Sequence, residues 1–131
     1  MFIDASAIVG IIAAEADAAS LAGRLAHGRT VLTSAVAVTE ASLALARIAN
    51  APPRDTFVLV ERFLTEVGAQ VMPIDATTGR LAIQAFSTFG KGRHRAALNL
   101  GDCFAYACAR QAEVPLLCKG DDFPLTDIEL A

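Results

Sequence analysis

Five carboxylates stand out by where they fall in the chain: Asp4, Glu40, Asp102 and the adjacent Asp121 and Asp122. Each follows a short apolar segment or lies in the helical segment just beyond one. In an open parallel sheet, groups at the carboxyl ends of the strands and at the helix starts beyond them share one crevice, whatever their separation in sequence. Carboxylates gathered a few ångströms apart raise one another's pKa, and a divalent cation removes the conflict. A donor set of oxygen alone, without histidine or thiolate, suits Mg²⁺ or Mn²⁺, which keep several waters and activate one for attack on a phosphodiester. The chemistry expected of these residues is metal-assisted phosphoryl hydrolysis. Each acid alone has a plainer explanation: Asp4 and Asp102 as helix caps, Glu40 as surface charge, Asp121 and Asp122 as a polar turn.

The elements that must position them follow from the apolar pattern. Short strand-like segments alternate with longer helical ones, which predicts an α/β three-layer sandwich, a mostly parallel sheet with helices on both faces. Phe2-Ile3 reads as the first strand, followed by helical spacing over Ser6–Ala14 and Glu15–Ala26. Val31–Thr33 is the second strand, and a helix over Ala35–Ala49 stops at Asn50-Ala51-Pro52-Pro53. A helix over Arg54–Val67 leads to a strand at Val71–Ile74, and Asp75 caps a helix over Ala76–Phe89. The loop Gly90–Arg95 precedes a helix over Asp102–Gln111, a strand at Val114–Cys118, a turn at Gly120–Pro124 and an edge strand at Thr126–Leu130.

The 131 residues fit one domain spanning 1–131, and 54% hydrophobic with 19% charged residues excludes an unfolded chain. The longest apolar run, Ala7–Ala14, is far short of the ~20 residues that cross a bilayer. No membrane span is expected. Asp4 stands where a secretory signal carries basic residues, which predicts a cytoplasmic protein. The formal charge of −3 is weak evidence against a polyanionic partner, because acids that converge on a metal contribute to it without repelling phosphate once the metal is bound. Cys103, Cys108 and Cys118 form no C-x-x-C pair and read as reduced core thiols; with His27 and His94 they offer no recognisable zinc spacing. His27 reads as a surface residue near a helix end.

Met1-Phe2-Ile3-Asp4-Ala5-Ser6-Ala7, Thr39-Glu40, Leu98-Asn99-Leu100-Gly101-Asp102-Cys103 with Tyr106-Ala107, and Leu117–Phe123 with Thr126-Asp127 resemble the PIN-domain toxins of the VapC family. The four motifs occur in the family's order from the first residue almost to the last. The resemblance implies a PIN-like fold and a Mg²⁺- or Mn²⁺-dependent endoribonuclease toxin of a type II toxin–antitoxin system. Such an enzyme cuts structured RNA, tRNA or rRNA, and is held inactive by a VapB-type antitoxin. It also places Asp4, Glu40 and Asp102 on the family's three best-defined acidic positions. For the fourth acid it favours Asp122, while Asp121 is also within reach of the metal. Ala5 stands where the family often has threonine; Ser6 supplies the neighbouring hydroxyl and is expected to support the metal-binding acids from behind. Asn99 either orients a carboxylate or caps the helix that carries Asp102.

Lys91, Arg93 and Arg95 put three of the 11 basic residues into one loop, with Gly90 and Gly92 expected to make it flexible, and the loop is expected to grip RNA phosphates. The apolar content predicts exposed hydrophobic surface on the helices over Glu15–Ala26 and Ala35–Arg62, covered by a second copy in a homodimer or by an antitoxin segment. Two other functions compete. A receiver-like Mg²⁺-binding signalling domain would use Lys119 and accept a phosphoryl group on Asp75, and a catalytically silent domain would only bind RNA or protein.

Overall fold

The computed structural model describes residues 1–131. Its centre is a four-stranded, wholly parallel sheet in the order β3-β2-β1-β4, built from β1 (Phe2–Ile3), β2 (Leu32–Ser34), β3 (Gln70–Met72) and β4 (Leu116–Leu117). Phe2 pairs with both Leu32 and Leu116, and Ile3 pairs with Leu117. Side chains alternate across a strand. Phe2 and Leu116 therefore enter the core on one face with α5 (Ala76–Phe89) and α6 (Leu100–Gln111). Ile3 and Leu117 enter the other, with α1 (Ala5–Ile12), α2 (Ala18–Ala26), α3 (Ala35–Ala49) and α4 (Pro53–Glu66). All four of these strand residues are fully buried, as a strand covered on both faces requires. The fold is the α/β sandwich that the segment pattern predicts.

The strand order makes β1 the switch point. The chain moves from β1 to β2 to β3 on one side, then crosses back through α5 and α6 to lay β4 on the other. The crevice of such a sheet opens at the carboxyl end of the strand where the order reverses, and Asp4 is the residue that follows β1.

Several boundaries differ from the sequence expectation, each for a local reason. The α1 helix stops at Ile12 and α2 starts at Ala18, because Ala14 takes a left-handed backbone (φ 53) and the Glu15 N–H turns back to the Gly10 carbonyl. Glu15 and Asp17 thus belong to a turn. Pro53 is the first residue of α4, where its missing N–H costs nothing. The β2 strand covers Leu32–Ser34, and Ser34 then caps α3 through the Ala37 N–H. The β3 strand ends at Met72, before Pro73, which has no N–H for the ladder. Pro115 precedes a β4 of two residues, Leu116–Leu117. The expected edge strand over Thr126–Leu130 is reduced to a single parallel bridge from Leu130 to Leu116, preceded by a 3₁₀ turn over Phe123–Leu125.

Of the two stretches expected to expose apolar surface, only the second does. The exposed face of α2 carries alanine, glycine and serine, with Leu21 and Leu25 turned inward. Large exposed apolar side chains lie on α3 and α4, within the second expected stretch, with Ile48 and Val58 each 60% exposed, and outside it at Ile83 and Leu100.

Candidate active site

Asp4 caps α1: its carboxylate accepts the Ser6 N–H at 3.0 Å and the Ser6 hydroxyl at 2.5 Å. The same hydroxyl accepts the backbone N–H of Lys119 at 3.0 Å, tying the start of α1 to the segment leaving β4. Asp4 is only 3% exposed. That burial pushes its carboxyl above the ordinary range, against the opposing pull of the Ser6 hydrogen bonds.

Glu40 comes from the second turn of α3 and is half-buried. Its carboxylate lies against the backbone of Gly101, so closely that a Cβ on Gly101 would collide with both oxygens. Burial raises its pKa, and the charges of Asp4 and Asp102 raise it further. Asp102 sits in the first turn of α6, inside a reciprocal cap: Asn99 Oδ1 accepts the Asp102 N–H at 3.0 Å, and Asp102 Oδ2 accepts the Asn99 N–H at 2.8 Å. The helix accordingly begins at Leu100, and Asn99 both caps it and fixes the carboxylate. Asp102 is also pushed up by burial, with Asp4 and Asp122 adding to the shift.

Asp4, Glu40 and Asp102 line one cavity of about 480 Å³, together with Ser6 and Asn99. They come from three separate stretches of chain, and no lysine or arginine forms an ion pair with any of them. The donor set, carboxylates with a hydroxyl and amide behind them, fits a hard divalent cation. As the side chains stand, no three of the acids, histidines or cysteines are disposed to hold one ion. Mg²⁺ needs only one or two carboxylates beside its waters.

Neither turn acid lines this cavity and both are exposed; of the two, Asp122 adds to the upward shift of Asp102. Lys91, Arg93 and Arg95 are exposed and none lines the carboxylate cavity. Their loop is held rather than loose. The Lys91 N–H donates to the Leu98 carbonyl and the Leu98 N–H to the Phe89 carbonyl, each at 3.0 Å, and the His94 ring stands edge-on to Phe89. Gly90 is buried, and a Cβ there would strike the Phe86 carbonyl, so this glycine serves close packing instead of the expected flexibility. Asp75 accepts the Thr77 and Thr78 N–H groups as the cap of α5, which occupies the carboxylate that a receiver would phosphorylate. The three cysteines are buried and unpaired, burial lifts the Cys103 and Cys108 thiols to about 11 and Cys118 to about 12, and none of them lines the carboxylate cavity. His27 caps the end of α2 on the surface.

Three residues of the cavity wall, Glu15, Arg47 and Lys119, and Gly101 beside Glu40 were given no role at this site by the sequence. Gly101 was legible only as a helix start. Glu15 and Lys119 form an ion pair on the cavity wall that depends on the turn at Ala14. Arg47 lines the same cavity two helical turns after Glu40, a spacing that helix periodicity alone would have flagged.

Residues 1–129 match the family described as PIN domain. The chain is similar to Ribonuclease VapC36 of Mycobacterium tuberculosis, with 40% identity over 130 residues covering 98% of this chain and 91% of that one. It is 39% identical to Ribonuclease VapC42 of the same organism over 132 residues, covering 100% of this chain and 98% of the relative. Ribonuclease VapC of Mycolicibacterium smegmatis is 36% identical over 129 residues, with 98% and 97% covered. In fold, the chain is similar to the crystal structure of Mycobacterium tuberculosis VapC20, described as a Sarcin-Ricin loop cleaving toxin. The TM-score is 0.78 over 99% of this chain and 97% of that one, at 16% identity.

Proposed function

Because the chain belongs to the PIN-domain family, as an endoribonuclease of the VapC type, we propose that it hydrolyses structured RNA, tRNA or rRNA, at a Mg²⁺ or Mn²⁺ site made by Asp4, Glu40, Asp102 and one or both of Asp121 and Asp122. The observation that carries this is the cavity itself: acids from three separate segments face it, and none of the three has a basic partner. A divalent cation bound there supplies charge neutralisation and lowers the pKa of an attacking water. The protein's own part is to hold the acids. Ser6 fixes Asp4 by two hydrogen bonds, the bare Gly101 backbone admits Glu40, and Asn99 clamps Asp102. Burial of Asp4 keeps bulk water from competing for its oxygens.

The protein acts as a toxin in the cytoplasm, where a VapB-type antitoxin restrains it by covering apolar surface and placing a basic side chain among the acids. A homodimer through another part of that surface is the expected assembly. The exposed Lys91, Arg93 and Arg95 loop adds phosphate contacts away from the cavity.

The test is incubation of the purified chain with total RNA, with Mg²⁺ or Mn²⁺ and with EDTA, followed by sequencing of the new 5′ ends. Cutting that needs metal and leaves 5′-phosphate and 3′-hydroxyl ends is expected; 2′,3′-cyclic phosphate ends would overturn the hydrolytic route, since they require attack by the RNA's own 2′-hydroxyl. Asp102→Asn keeps an acceptor for the Asn99 N–H while removing the charge, so it should fold normally and lose cleavage. Full activity in that variant removes Asp102 from the site.

A further inference from the structure

We propose that Arg47 binds a backbone phosphate of the RNA beside the one that is cut, an assignment that rests on the nuclease reading and adds a substrate-positioning residue to it. The cavity that holds Asp4, Glu40 and Asp102 is lined by two cations, Arg47 and Lys119. Lys119 is already committed: its ammonium pairs with Glu15 and lies 3.4 Å from Asp17. Arg47 pairs with nothing. Three other arginines have acidic partners, Arg54 with Asp55, Arg62 with Glu66 and Arg110 with Asp127; what sets Arg47 apart from the remaining unpaired ones is its place on the wall of the acid-lined cavity, with Leu43, Ala44, Asn50 and Ala51 one turn away on either side.

A lone, exposed guanidinium on the wall of an acid-lined cavity has a physical consequence. It makes no ion pair with any of the acids, and the seven residues from Glu40 correspond to a rise of about 10 Å along α3. It is instead a fixed positive point at the rim, and its fork of donors matches two oxygens of one phosphate. An RNA strand with one phosphodiester at the acids then has a neighbouring phosphate at Arg47. Helix α3 carries both Glu40 and Arg47, so their spacing is set by a rigid element and fixes the register of the strand over the site.

The experiment compares wild type, Arg47→Ala, Arg47→Lys and, as a charge control on the exposed face of α5, Arg80→Ala. Binding of unfractionated tRNA is followed against salt concentration with Ca²⁺ in place of Mg²⁺, and cleavage with Mg²⁺ gives kcat and KM separately. Arg47→Ala should lower the salt slope of log Kd by about 0.7–1 and raise KM about 5- to 10-fold while kcat stays within about twofold. Arg47→Lys should restore the slope, and Arg80→Ala should leave it alone. An Arg47→Ala slope and KM equal to wild type would overturn the assignment. So would a loss of kcat and Tm together at an unchanged slope, which would mark Arg47 as a support for the end of α3. Binding with the Arg47-dependent slope but no metal-dependent cutting would instead remove the nuclease reading and keep the phosphate contact. Failure of wild type to bind tRNA at all would remove both.

Discussion

At the scale of single residues, the site depends on a backbone position as much as on its acids. Gly101 has no side chain, and that gap is where the Glu40 carboxylate lies. Alanine is a better helix residue than glycine by about 0.5–1 kcal/mol, so Gly101→Ala should hold or raise Tm. The added methyl evicts the carboxylate, and cleavage should fall by roughly 10- to 100-fold, the cost of misplacing a group by about an ångström. Wild-type activity in that variant would show that Glu40 works from another position. The acids also make a pH prediction. Asp4, Glu40 and Asp102 have folded-state pKa values above their ordinary ones, so the folded chain binds more protons than the unfolded one, and stability falls as pH rises through the folded values. Asp75 shifts the other way, its hydrogen bonds from Thr78 holding it down, but it acts only below the ordinary carboxylate range. The N-terminal ammonium, lowered by burial, titrates nearer neutrality. In EDTA, Tm should therefore rise as pH is lowered toward the ordinary carboxylate range, and Mg²⁺ should flatten that dependence by holding the acids ionised. A metal-free Tm that falls on acidification over this window contradicts the shared origin of the three shifts.

At the scale of elements, each acid is presented by a different local device. Asp4 is an N-cap, Asp102 is the third member of a capping box, and Glu40 rides on a helix whose own cap is Ser34. Capping and the proposed metal binding are therefore not rival explanations for Asp4 and Asp102: both carboxylates satisfy first-turn N–H groups and also line the cavity. The basic loop between α5 and α6 is positioned in the same way, by backbone bonds to Leu98 and by Arg93 lying over the Phe86 ring at 5.7 Å. A pre-ordered loop loses little entropy when it meets phosphate. Arg93→Ala should lower the salt slope of RNA binding by about one unit without changing Tm by more than a few degrees. An unchanged slope would take Arg93 out of the interface.

At the scale of the whole molecule, the sheet order decides the function. With β1 between β2 and β4, the segments leaving these strands and the first turn of α6 border one crevice, and Asp4, Glu40 and Asp102 meet there. The exposed apolar side chains of α3 and α4 are the surface left over, and Leu43, Ile48, Phe57, Val58 and Leu59 are ready to be covered. Sedimentation should show the chain heavier than a monomer, and heavier again with a VapB-type antitoxin; Val58→Asp, at an exposed position, should weaken one of the two assemblies without unfolding the chain. A monomer that ignores the antitoxin would dispose of both interfaces.

Element types were legible from the sequence because they depend on local patterns, such as apolar spacing and the breaks at Asn50–Pro53 and Pro73. Asp4 was legible as an acid just past a strand, and Glu40 and Asp102, on helices, were marked by the family resemblance. The wall around them was not. The Lys119–Glu15 pair, the seat of Glu40 on Gly101 and the presence of Arg47 beside the acids are contacts between segments remote in sequence. Likewise, Gly90 read as a flexible joint until Phe86 was seen packed against it. Sequence by itself determined which residues could do chemistry and which end of the sheet would bear them. Only the tertiary structure decided which charges remain unpaired there, because pairing is settled by distances of a few ångströms that no spacing along the chain encodes.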